Sequence, residues 1–112
     1  MDFERSGGLR RQFSATAEIR GASSPSRVGR VKDLSFGGCY VAMPEPFSEG
    51  FEVTVRLTTE SEVFECDAVV SRVTHGIGMG LRFHTIEPRF RRVLESWLGA
   101  AQAGPATGEE EK

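Results

Sequence analysis

The chain has 112 residues, 27% of them charged and 38% hydrophobic, and carries a formal net charge of −2. That length suits one core and not two, and that composition argues against wholesale disorder. No apolar run approaches a membrane helix and the opening MDFERSGGLRRQF lacks the apolar segment of a secretory signal, so a cytoplasmic protein without membrane insertion is expected.

Charge is spread unevenly. Up to Lys32 seven basic side chains stand against three acidic ones, whereas the remainder is acidic on balance. A basic region so confined suits a local anion site. It does not suit DNA or RNA, which would want basic charge throughout.

Residues 1–8 read as a flexible, glycine-containing leader. In FSATAEIR the residues Phe13, Ala15, Ala17 and Ile19 then alternate as in a half-buried strand. GASSPS breaks that run, RVGRVKDL is a second strand candidate and GCYVAM a third. The loop PEPFSEG follows, with two prolines and a glycine. FEVTVRL is the clearest strand, with Phe51, Val53, Val55 and Leu57 expected on one face. After TTES, VFECDAVVSRV places Phe64, Cys66, Ala68 and Val70 together, and THG turns the chain again. In GIGMGLRF the apolar Ile77, Met79, Leu81 and Phe83 alternate with Gly76, Gly78, Gly80 and Arg82. Glycines along an outer strand face leave room for another group to lie close. Six short strands with short turns point to a small barrel or sandwich.

The period changes at EPRFRRVLESWLG. Phe90, Val93, Leu94, Trp97 and Leu98 form one helical stripe, Pro88 fits the first turn and Gly99 is placed just beyond the end. Such a stripe is expected to cover the barrel mouth. Residues 99–112 are small, polar and acidic and read as a disordered tail.

The residue types exclude most chemistry. No histidine stands beside a nucleophile, there is no phosphate loop, and His75 and His84 have no convergent partners at metal-ligand spacing. A non-catalytic protein without metal or resident cofactor is expected. Cys39 and Cys66 lie in strand-like runs and read as buried neutral thiols.

One stretch carries more polar chemistry than a hairpin turn requires. Asp33-Leu34-Ser35-Phe36-Gly37-Gly38 has an aspartate, a serine two positions on and a glycine three beyond that. On its own it reads either as a nucleobase-edge reader or as a turn whose Asp33 and Ser35 hold the backbone by local hydrogen bonds. With Arg10 and Arg11 upstream of the first strand and GIGMGLRF before a terminal helix, the chain resembles the PilZ family over roughly Leu9 to Leu98. The resemblance implies a six-stranded antiparallel β-barrel with one C-terminal α-helix over residues 9–98. It often implies a receptor for the bacterial second messenger cyclic di-GMP.

In that family two arginines four positions apart wrap the dinucleotide, the aspartate and serine contact a guanine, and the glycine leaves space for it. The resemblance thus implies ligand contacts from Arg10, Arg11, Asp33, Ser35 and Gly38. The arm departs from the pattern. Four residues after Arg11 stands Ala15, and four after Arg10 stands Ser14. Two readings follow. One is an adaptor in cyclic di-GMP-linked regulation of motility or surface behaviour, acting through an unidentified protein partner with its own ligand binding weak or lost. The other is a competent receptor whose arm orders on binding.

Overall fold

A computed structural model describes residues 11–103, with side chains through Gly99. Six strands run β1 (Arg11–Gly21), β2 (Arg27–Leu34), β3 (Gly38–Ala42), β4 (Glu52–Thr58), β5 (Val63–Thr74) and β6 (Gly78–Thr85), followed by one helix, α1 (Pro88–Ala103). All pairings are antiparallel and close into a barrel in the order β1-β2-β3-β6-β5-β4. The expected barrel with one terminal helix is the observed fold.

Period-2 alternation builds the core. Ala15, Ala17 and Ile19 of β1, Val53, Val55 and Leu57 of β4, and Phe64, Cys66, Ala68 and Val70 of β5 all point inward and are buried. Each strand therefore spends one face on the interior and leaves the other to solvent.

Two apolar residues depart from the expected alternation, both at strand entries. Phe51 precedes β4 and is 42% exposed, because Gly50, at φ 86°, turns the chain just before it. Its ring stacks on buried Phe47 at 5.6 Å, against the bare backbone of Gly21. Ile77 is 58% exposed and lies in the β5–β6 turn behind Gly76 at φ 78°. There its backbone is put to use: the Ile77 N–H donates to Thr74 O and its carbonyl accepts from Met43 N.

The loop from Met43 to Phe51 is held by Arg27. Its guanidinium lies 4.2 Å over the Phe47 ring and donates to Glu45 O at 2.9 Å and Pro46 O at 3.3 Å. One planar cation thus satisfies two loop carbonyls while covering an aromatic face.

Helix α1 closes one mouth, packed on β5 and β1. Leu94, Trp97 and Leu98 are buried, with Phe90 and Val93 packed half-buried beside them. Trp97 meets Phe13 at 5.0 Å between ring centroids and Phe64 at 6.2 Å, and its indole Nε1 donates to Glu62 Oε1 at 3.0 Å. The helix does not stop at Gly99. It continues to Ala103, since a mid-helix glycine costs only about 1 kcal/mol against alanine and Ala100, Ala101, Gln102 and Ala103 are good helix formers. The boundary expected at residue 99 is corrected accordingly. The leader 1–8 and positions 104–112 of the expected tail lie outside the described residues.

Both cysteines are buried, as their strand positions implied. Burial, aided by the neighbouring carboxylates Asp67 and Glu65, pushes the Cys66 thiol up to about 12. It is therefore neutral at physiological pH and poorly nucleophilic. Iodoacetamide at pH 8 should modify Cys66 only after denaturant unfolds the barrel, and rapid labelling of the native protein would show the strand to be open.

Trp97→Ala should destabilise the fold by about 3–5 kcal/mol, the usual cost of deleting a buried aromatic. An unchanged thermal midpoint would place the indole outside the core.

Candidate functional site

The segment from Asp33 to Gly38 ends β2 and begins β3. Ser35 is 1% exposed. Its N–H donates to Gly38 O at 2.9 Å, its hydroxyl donates to the same carbonyl at 3.3 Å, and its Oγ accepts from Gly37 N at 3.2 Å. Gly37 O in turn accepts from Phe83 N of β6 at 2.8 Å. The serine is thus committed to holding the turn, which is the local hydrogen-bonding alternative weighed from the sequence.

Gly38 also has a structural reason. A Cβ there would collide with the carbonyl of Leu81, the residue preceding its ladder partner Arg82 on β6. The space this glycine leaves is taken by the protein's own backbone.

Asp33 stands differently. It is half-buried, paired with Gln12 of β1 on one side and Tyr40 of β3 on the other. The register extends this row through Gly80 of β6 to Arg72 of β5, so Gln12, Asp33, Tyr40, Gly80 and Arg72 align across five strands. Tyr40 alternates with buried Cys39 and Val41 and so lies on the outer face, where its ring rests against Gly78. The outer-face glycines of β6 leave room for this side chain, as their spacing suggested. Three extra residues interrupt the ladders beside this row: one between Gln12 and Ala15, Lys32 against β3, and Ser71 against β6. Bulges re-aim side chains and concentrate near functional surfaces.

Arg11 opens β1 opposite Leu34 and is half-buried. Its Nε is buried with no hydrogen-bond partner among the described residues. A buried guanidinium N–H without an acceptor costs about 1–3 kcal/mol, so an acceptor brought from outside relieves a standing penalty. Arg10 lies outside the described residues. Ala15 is 4% exposed and pairs with Val31 of the core. An arginine side chain in its place would enter the barrel interior, where an unpaired charge is costly.

The structure thus brings Arg11 and Asp33 to adjacent register positions at one end of the barrel, and places Ser35 and Gly38 within the turn that supports them. Sequence reading missed Tyr40 and Arg72. Tyr40 was visible as the polar-tipped member of GCYVA, but Arg72 joins the row only through the bulge at Ser71. Among the described residues no His, Cys, Asp and Glu group has the arrangement of a metal site, and no helix is long and apolar enough to cross a membrane.

The family profile of the PilZ domain matches residues 2–100. The chain belongs to the PilZ domain family. No curated protein matches its sequence. The PilZ fold recurs in solved structures at low identity. It is similar to the PilZ domain of YcgR from Escherichia coli with c-di-GMP, at 16% identity and TM-score 0.71, covering 83% of this chain and 88% of that one. It is also similar to the inhibitor of motility MotI/DgrA from Bacillus subtilis, at 17% identity and TM-score 0.74, covering 88% of this chain and 52% of the other. The PilZ domain of CeSA from a cellulose-synthesizing bacterium follows at 22% identity and TM-score 0.64, covering 84% and 99%. At these identities the likeness is one of fold.

Gly38 lets β3 lie close against β6 at the PilZ turn. Gly38→Ala should force those strands apart and destabilise by about 1–3 kcal/mol, the cost typical of overpacking. Chemical denaturation measures it, and an unchanged midpoint would show that the ladder has slack at Leu81.

Proposed function

We propose that this PilZ domain is a non-catalytic signalling adaptor in cyclic di-GMP-linked regulation, acting on a protein partner and holding the dinucleotide weakly. The observation that carries the reading is the buried Arg11 Nε, which has no acceptor among the described residues and belongs to a residue one register position from Asp33. A cation short of an acceptor and a carboxylate able to take guanine N–H donors are the two complementary parts that a guanine nucleotide requires.

The residues present fit the dinucleotide in part. Arg11 would fork onto a phosphate or a guanine edge, Asp33 would accept from guanine N–H groups, and Tyr40 and Arg72 offer an aromatic face and a further cation on the same outer row. Arg10 would add a second arm cation by the family resemblance. Against this, Ser35 spends its hydroxyl on the turn and Ala15 faces the core, so two family contacts are not ready-made. A missing charge-assisted contact is worth about 1.5–3 kcal/mol, roughly a tenfold to hundredfold loss of affinity. The solved PilZ structure with c-di-GMP and the motility inhibitor among the structural neighbours support the ligand class and the kind of output.

Titration calorimetry of the full chain with cyclic di-GMP tests the reading. Weak, saturable binding that Asp33→Ala and Arg11→Gln each abolish is expected. Tight binding would instead favour the receptor reading, and no heat at millimolar ligand would remove the dinucleotide from the proposal.

A further inference from the structure

An open cleft of about 640 Å³ lies beside Ala15, the position where the family's second arginine is missing. Its wall includes Ser14, Thr16, Thr58 and Glu60 together with Arg30 of β2. The register explains the gathering. Thr16 pairs directly with Arg30 on one side and with Thr58 on the other, so the three stand in one row across β2, β1 and β4. Residues 11–15 of β1 have no ladder partners in β4, because that pairing begins at Thr16, and Thr59, Glu60 and Ser61 of the β4–β5 turn line the cleft beside them.

Arg30 is exposed, and its side chain makes no hydrogen bond or ion pair with any described residue. It is an uncommitted planar cation facing a hydroxyl-lined hollow of nucleotide size. Glu60, in the same wall, changes what the hollow suits. A carboxylate repels a bare phosphate but accepts from N–H donors, whereas arginine forks onto the O6 and N7 acceptors of guanine. The two together complement a guanine edge better than an isolated anion.

We propose that Arg30 replaces the absent arm arginine, and that this cleft, with Glu60 opposite, seats one guanine of the dinucleotide. The inference rests on the cyclic di-GMP reading above and assigns a second contact to it. The substitution at position 15 then relocates a cation from the arm to the neighbouring strand. Because Arg30 comes from a paired strand, this cation is present without any ordering of the arm.

Calorimetric titration of cyclic di-GMP into the full-length wild type, Arg30→Gln and Arg89→Gln decides the matter. Arg89 lies in the first turn of α1, paired with Glu87, and serves as the arginine outside the cleft. The expected result is that Arg30→Gln weakens binding by about tenfold or more while Arg89→Gln leaves it unchanged. Unchanged binding by Arg30→Gln, or equal weakening by both variants, would overturn the assignment of Arg30 and leave the dinucleotide reading intact. Absence of wild-type binding at millimolar ligand would overturn both. Thermal melts of each variant separate lost binding from lost fold.

Discussion

Strand β3 approaches β6 so closely that glycine is the residue the backbone admits at Gly38 and at Gly78. Opposite Gly38 stands the Leu81 carbonyl, and opposite Gly78 the Val41 carbonyl with the Tyr40 ring. Much of the rest depends on that approach. It joins the first three strands to the last three, turning an open sheet into a closed barrel. It also flattens the outer surface so that Tyr40 lies down on glycine, leaving Asp33 and Arg72 on either side of a low aromatic floor.

The closure explains why a short chain can afford a polar turn at its most constrained corner. Ser35 is buried, but its N–H and its hydroxyl both find partners within three residues, and Gly37 ties the same turn to β6. Satisfied in this way, a buried hydroxyl adds rigidity without the penalty of an orphaned group. Arg11 is the contrast. Its Nε is enclosed without an acceptor among the described residues, at the first residue of β1.

The fold was legible in the sequence because period-2 and period-3.6 patterns report which face meets the core, and nearly every inward position agreed. Failures fell where the chain changes direction. Phe51 and Ile77 continue the alternation in letters, but each follows a positive-φ glycine and so belongs to a turn. Gly99 looks like a stop, yet the alanines after it carry the helix past it. The site was legible only as types. DLSFGG announced itself, but nothing in its spacing shows that Ser35 faces inward or that Gly38 yields its space to Leu81. Arg72 and Arg30 were invisible as neighbours of the motif, since ladder register and bulges set those adjacencies. Register is a tertiary property: one extra residue reassigns every cross-strand partner beyond it.

The tilted contact of Phe13 with Trp97 ties the start of β1 to helix α1. Both the start of β1 and helix α1 are gathered at one pole of the barrel, together with the β2–β3 turn and the Glu62 carboxylate. The other pole carries the loops around Phe47, Phe51 and Ile77, clamped by Arg27. The first strand and the terminal helix share one end of the barrel, and the opposite end presents the exposed Phe51 and Ile77.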